Sequence, residues 1–245
     1  MPGIDLGSLV VACVVAFLVS ILGGLSGFGT GLVLPVFLVP VVGIGNVVPV
    51  MAVAMVFNNG SRVAAFWRQI QWPNALRVLA LGLPACIAGA YCYTQLPTRW
   101  IGILLGSFLL ISVPLRRLLK GIDLRLNTSQ EVFAGTIFGF LNGGLTGTGV
   151  LLISILMSAG VAGAALIASD AIVSVAMGMT KIIIFGGLAS LDMRLALIGI
   201  LVGACTAPGA FVARWLLKKI PAGVHAWFME FIIVLGAIAM IWRAK

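Results

Sequence analysis

Long apolar stretches alternate with short polar or glycine-rich interruptions along the whole chain. No formal charge occurs from residue 6 to residue 61, or from residue 132 to residue 169. One bilayer crossing needs about 20 predominantly apolar residues, so each of these runs is long enough for more than one crossing. Charged, proline and glycine positions divide the chain into ten apolar segments, at 6–22, 29–42, 45–66, 74–95, 100–115, 132–142, 149–160, 163–188, 194–213 and 222–242.

Two of the interruptions are unusual because glycine falls where a helix is expected. They read "GGLSGFGTG" at residues 23–31 and "GGLTGTGVL" at residues 143–151. The apolar residues 9–22 would form a helix of only about 21 Å at about 1.5 Å per residue, whereas the hydrocarbon core is about 30 Å thick. Each interruption therefore predicts a hairpin of two part-length helices that meet inside the membrane.

The two halves of the chain match element by element. The matching pairs are "LSGFG" with "LTGTG", Ser61-Arg62 with Thr180-Lys181, and Leu96-Pro97 with Ile220-Pro221. This pattern predicts an internal duplication, as is common in secondary transporters. We expect a single membrane transport domain over 1–245, with repeats at 6–115 and 131–243 joined by a basic cytoplasmic linker at 116–130.

The expected architecture is an all-α, polytopic integral membrane protein with about eight transmembrane helices, or ten helical segments when part-length hairpin helices are counted. A hairpin leaves three full crossings in each repeat, so the second repeat would be inverted relative to the first. A broken helix that passes straight through would instead give four crossings and parallel repeats. The distribution of Lys and Arg does not separate these topologies under the positive-inside rule. The short segment lengths favour the hairpin and the inverted repeat.

Composition narrows the class of protein further. The chain is 62% hydrophobic and 9% charged, which excludes a soluble domain of this length. The net charge of +9 comes mainly from Lys and Arg at segment ends, as in cytoplasmic loops, so nucleic acid is not expected as a partner. The four cysteines form no CxxC pair, and no metal-ligand cluster or phosphate-binding loop occurs. We expect neither a cofactor nor a metal.

The glycine loops carry the features of an anion site. A helix that starts after such a loop leaves its first N–H groups unpaired, and these groups and the helix dipole attract negative charge. Hydroxyl and amide side chains occur at the same places. The candidate substrate-binding residues are Ser26, Gly27, Gly29 and Thr30 in the first copy, and Asn142, Thr146, Gly147, Thr148 and Gly149 in the second. Close helix packing through Gly23, Gly27 and Gly31 is the alternative explanation.

Charged and amide side chains inside the apolar segments add further candidates, because such groups usually mark a transport pathway. Lys181 is a candidate for the anion itself, and Arg62 for the anion or for snorkelling. Asn58, Asn59 and Ser61 precede Arg62, and "NNG" predicts local unwinding there. Asp170 and Glu230 are candidates for ion or proton coupling. Asp170 and Lys181 share a helix face about 16 Å apart, so they do not pair.

These glycine motifs give the chain its resemblance to a known family. "GGLSGFGTGLVLPVFL", "GFLNGGLTGTGVLLISIL", "QIQWPNALRVLALG" and "LASLDMRLALIG" resemble the TauE/SafE family of sulfite exporters, also called the toluene sulfonate uptake permease family. The first copy keeps the proline of the family's motif at Pro35, whereas the second copy has Ser154. The resemblance implies a multi-pass transporter of the bacterial cytoplasmic membrane. Its expected substrates are sulfite, sulfoacetate or other sulfonates and organic anions.

We therefore expect a secondary transporter that holds a small anion near the midplane and uses H⁺ or Na⁺ as its coupling ion. An anion channel with the same site is the alternative. A rhomboid-like intramembrane serine hydrolase is a third, since Gly24-Leu25-Ser26-Gly27 has the required form, with His225 as its general base. We do not expect an enzyme, because the second copy carries Thr146 in place of Ser26. The sequence gives no indication of oligomeric state.

Overall fold

The described part of the chain is helical and follows the predicted order of segments. The computed structural model describes residues 6–26, 29–120, 125–216 and 222–243. These residues form α1 (Leu6–Ser26), α2 (Gly29–Val42), α3 (Val47–Phe66), α4 (Trp72–Gln95), α5 (Thr98–Lys120), α6 (Thr128–Gly144), α7 (Gly149–Ser158), α8 (Gly163–Gly187), α9 (Met193–Leu216) and α10 (Ala222–Arg243). Short 3₁₀ turns precede α3 and α4. No strand occurs among the described residues.

Four stretches of the described chain are long and apolar enough to cross a bilayer. They are Ile44–Gln69, Trp72–Gln95, Thr98–Leu115 and Gly163–Gly187. Large apolar side chains stay exposed on the outer helix faces, for example Phe133 at 67% and Ile183 at 68%. Hydrocarbon, unlike water, carries no penalty for these surfaces. The helices therefore suit a multi-pass membrane protein, while the count of eight crossings remains a prediction.

The second glycine-rich interruption folds as a hairpin. α6 ends at Gly144, and α7 begins at Gly149 and has only 10 residues. At the open end of the pair, the N–H of Leu126 donates to the carbonyl of Ser158 at 2.8 Å. Because Leu126, two residues before α6, bonds to the last residue of α7, the chain enters, turns at 145–148 and returns to where it began.

The first interruption differs from the prediction in the length of its first arm. α1 runs to Ser26 rather than to residue 22 and has 21 residues, about 31 Å. In an apolar surrounding an unpaired peptide group costs several kcal/mol, so two consecutive glycines do not by themselves end a helix. α2 is part-length as predicted, with 14 residues, and α1 packs against it.

Two further predictions, of local unwinding in α3 and of the length of the linker, differ from the structure. The "NNG" stretch does not unwind, because α3 runs unbroken from Val47 to Phe66. Ser61 donates its hydroxyl to the carbonyl of Asn58 at 2.7 Å within that helix. The linker predicted at 116–130 is also shorter: α5 continues to Lys120, and Asn127 caps α6 through a capping box. Membrane surroundings and capping chemistry outweigh the local turn signals here.

Helix packing repeats when the two halves are exchanged. Taking α1–α5 as counterparts of α6–α10, α4 against α6 corresponds to α9 against α1, and α3 against α9 corresponds to α8 against α4. Likewise α2 against α10 corresponds to α7 against α5. Exchanging the halves turns α3 into α8 and α5 into α10, so the contacts of α3 with α8 and of α5 with α10 are unchanged by the exchange. Corresponding segments therefore occupy equivalent positions in the bundle.

Among the described helices, α4 and α6 approach each other closely through glycine. A Cβ atom on Gly139 would overlap the carbonyl oxygen of Gly82, and one on Gly143 would overlap the carbonyl oxygen of Cys86. Gly82 also lies against Gly135, so residue numbers rise together on the two helices and they run parallel. Small residues let the backbones touch, as in other membrane helix pairs. This contact holds the hairpin of α6 and α7 against a helix that is long and apolar enough to span the membrane.

Replacing Gly139 should separate the two helices and destabilise the protein. In Gly139→Ala the new methyl group meets backbone rather than a movable side chain, so we expect a loss of about 1–3 kcal/mol. Thermal unfolding in detergent measures the change. Gly186→Ala is the control, because a Cβ atom there has open space around it. Equal melting temperatures for the two variants would contradict the close contact.

Candidate functional site

The second break is a short loop built around one glycine with positive φ. The N–H of Leu145 still donates to the carbonyl of Leu141 at 2.9 Å and so completes the end of α6. Gly147 then has φ of +79°, a conformation that residues with a side chain rarely adopt. Thr148 starts the new helix, since its carbonyl accepts from Leu151 at 2.9 Å. The glycine pattern thus produces the predicted break, at 145–148.

A buried cation reaches this break from another helix. Lys181 of α8 is 7% exposed and donates from Nζ to the carbonyl oxygen of Asn142 at 3.1 Å. The side chain of Asn142 donates from Nδ2 to the hydroxyl of Thr148 at 2.6 Å, across the break. Asn142 therefore connects the cation to the first residues of the returning helix.

Two polar atoms at the break are buried without a hydrogen-bond partner. They are the hydroxyl oxygen of Thr146 and Oδ1 of Asn142. An unsatisfied buried polar group costs about 1–3 kcal/mol, so native structures rarely keep one without a reason. Together with Lys181 they leave hydrogen-bonding capacity concentrated in a few residues. A small polar ligand at this position would use that capacity.

In the first copy, the start of α2 lies beside the second break. Gly31 lies so close to the second break that an added Cβ atom would sit 3.3 Å from Cα of Gly147. Thr30 beside it is buried. The first turn of α2 therefore lies against the second break. Because the backbones touch at Gly31 and Gly147, the polar groups beside this contact, rather than a gap between the helix ends, form the candidate site.

A second polar cluster lies where α3 and α8 cross. Arg62 and Asp170 form an ion pair of 3.1 Å whose side chains are 15% and 4% exposed. Arg62 also donates to Oδ1 of Asn59 at 3.0 Å, while Oδ1 of Asp170 has no hydrogen-bond partner. Asn58 is buried on the same helix, and Ser61 bonds back to it. Arg62 is thus held by a carboxylate instead of snorkelling.

The structure separates the predicted site residues into these two clusters. Asp170 and Lys181 do not pair with each other, as the helix spacing predicted, because each has its own partner. Gly149 is the first residue of α7 and Gly29 the first of α2. Gly27 lies outside the described residues, as do the surroundings of Gly29 and the side chains of Ser26, His225 and Glu230. The role predicted for Glu230 therefore stays a prediction.

Sequence reasoning missed a neighbour of the buried cation. Cys86 of α4 is buried beside Lys181, with its thiol 4.0 Å from the carbonyl oxygen of Met177. A single cysteine in an apolar helix has no pattern that distinguishes it from a small hydrophobic residue. Among the residues with described surroundings, no group of three metal-ligating side chains lies together.

Comparison with known proteins identifies the chain by family. The family model for the sulfite exporter TauE/SafE matches residues 12–240, which include both breaks and both polar clusters. No curated protein and no solved structure matches the chain. The family is one of exporters rather than hydrolases, which leaves the Ser26 hydrolase without support.

Removing Arg62 should be more harmful than removing the whole ion pair. Arg62→Met leaves the Asp170 carboxylate buried and uncompensated, which costs about 3–5 kcal/mol. The double variant Arg62→Met with Asp170→Leu removes both charges and should recover most of that loss. Thermal unfolding of the purified variants measures both effects. Wild-type stability of the single variant would show that the pair is not buried as described.

Proposed function

This chain belongs to the sulfite exporter TauE/SafE family, and on that premise we propose that it is a secondary transporter of a small anion in the bacterial cytoplasmic membrane. The proposed substrates are sulfite, sulfoacetate or another sulfonate or organic anion. The observation that carries the proposal is the buried Lys181 ammonium beside a helix break with an unpartnered hydroxyl at Thr146.

Three features of the break favour an anion over a neutral ligand. A buried charge is costly unless an opposite charge compensates it, and the bonded partner of Lys181 is the neutral carbonyl of Asn142. The first N–H groups of α7 and its dipole add positive potential at the same place. The Thr146 hydroxyl supplies a donor that has no partner in the protein. A bound oxyanion would satisfy all three.

We further propose that the two repeats are inverted across the membrane. The open end of the α6–α7 hairpin lies at the start of α4, where Arg77 pairs with Glu131 of α6 at 3.2 Å. The end of α2 lies at the other end of α4, where the hydroxyl of Tyr93 donates to the carbonyl of Gly45 at 3.0 Å. α4 has 24 residues, about 36 Å, enough to cross the bilayer. Hairpins that open at opposite ends of one spanning helix are what inverted repeats require.

The contact of α2 with the second break supports a carrier rather than a channel. The backbones of Gly31 and Gly147 touch, so α2 and the loop at 145–148 leave no gap at this point. In a carrier the repeats move against each other around the site and open it to one side at a time. Asp170, with one oxygen unpartnered, is the proposed site for a coupling H⁺ or Na⁺. Glu230 is a second candidate for that role.

Loss of the Lys181 charge should abolish exchange of anions. Lys181→Gln keeps a donor toward Asn142 but removes the positive charge, so we expect at least a tenfold lower rate of sulfite counterflow in proteoliposomes. Counterflow is the chosen measurement because a carrier produces it and a channel does not. Arg194→Gln is the control, since Arg194 is an exposed cation at the start of α9. Undiminished counterflow in Lys181→Gln would exclude this site.

Labelling of single cysteines in intact cells tests the inverted arrangement. With the four native cysteines replaced, we expect Gly43→Cys and Gly160→Cys to react with a membrane-impermeant thiol reagent from opposite sides of the membrane. Both glycines are exposed and have open space for a side chain, although each has positive φ. Reaction of both from the same side would contradict inversion and favour parallel repeats.

A further inference from the structure

We infer that the site at the second break selects anions with a single negative charge over anions with two. The inference rests on the proposed function, because it takes the anion to bind beside Lys181. It concerns which members of the broad sulfur-oxyanion class the protein accepts. The argument depends on the balance of buried charge around the break.

The buried charges that the structure describes sum to one positive charge. Lys181 is bonded to a neutral carbonyl, and none of the described carboxylates lies within ion-pair distance of it. Arg62 and Asp170 neutralise each other. The buried Glu131 at the start of α6 is likewise paired with Arg77. Among the residues whose side chains are described, Lys181 is therefore the buried charge without an oppositely charged partner.

A single negative charge on the ligand would leave the site neutral. A second charge would remain without a partner among these residues, and taking it out of water carries the desolvation cost of an uncompensated buried ion. The N-terminus of α7 adds a partial positive charge of about +0.5, which offsets only part of this cost. The Thr146 hydroxyl is one neutral donor, and Oδ1 of Asn142 is an acceptor that repels an anionic oxygen. Monovalent sulfonates and hydrogensulfite fit this balance, whereas sulfate, fully ionised sulfite and the sulfoacetate dianion do not, so the inference removes sulfoacetate from the proposed substrates.

Methanesulfonate and sulfate form a matched pair of probes. Both are tetrahedral and similar in size, and they differ by a methyl group in place of a charged oxygen. Calorimetric titration of the purified wild-type protein should give at least tenfold tighter binding for methanesulfonate. Sulfite supplies an independent measurement on the same protein, since raising the pH through its second ionisation should weaken its binding while methanesulfonate binding stays constant.

Changing the sum of buried charges should change the ratio of the affinities for sulfate and methanesulfonate. Asp170→Asn leaves Arg62 unneutralised beside position 170, which lies about 16 Å from Lys181 along α8. At an effective dielectric constant of about 20, one added charge at that distance favours sulfate over methanesulfonate by roughly fivefold relative to wild type. The double variant Arg62→Gln with Asp170→Asn restores the original sum and should restore the wild-type ratio. It therefore controls for the loss of the carboxylate itself.

The possible outcomes separate this inference from the proposed function. Sulfate binding as tight as methanesulfonate in wild type, or sulfite binding that strengthens as the pH rises, would overturn the selection for a single charge and leave the anion site standing. Failure of every anion to bind would overturn the anion site and the inference with it. Should Asp170→Asn fail to fold, the two wild-type measurements decide the question alone.

Discussion

A helix that stops inside an apolar bundle leaves peptide groups that the surrounding hydrocarbon cannot satisfy, and the rest of this structure follows from how the chain meets that constraint. At the second break Leu145 still bonds back into α6, and Thr148 starts the bonding of α7. The loop therefore turns over within four residues, around a glycine with positive φ. The break survives because α4 lies against α6 through glycine and holds the hairpin in place.

The two predicted repeats place their cations differently although the sequences around them correspond. Ser61-Arg62 matches Thr180-Lys181, yet Arg62 is paired with Asp170, while Lys181 reaches the second break. The residue that matches Asp170 in the first repeat is apolar, so Lys181 has no equivalent carboxylate along α3. One cation thus stabilises the crossing of α3 and α8, and the other remains available to a ligand. This asymmetry leaves the proposed site with the positive charge of Lys181.

The helices and the breaks could be predicted from the sequence because both depend on local composition. Uncharged apolar runs set the ten segments, and glycine with hydroxyl residues marked the second interruption. The predictions failed where a local turn signal competed with the cost of unpaired backbone in an apolar surrounding. α1 passes through Gly23 and Gly24, and α3 passes through Asn58, Asn59 and Gly60. Composition alone does not tell whether the turn preference of glycine and asparagine or the cost of unpaired backbone groups is larger.

The sequence by itself predicted that this protein is helical, suited to a membrane and interrupted by glycine at 145–148, because each property depends on residues that are neighbours along the chain. Only the tertiary structure decided which polar side chains serve which purpose. It joined Lys181 to Asn142 across 39 positions, paired Arg62 with Asp170 and brought Gly31 against Gly147. Those contacts depend on how the helices cross. The residues next to a charge or a glycine in the sequence do not indicate which distant residue it contacts.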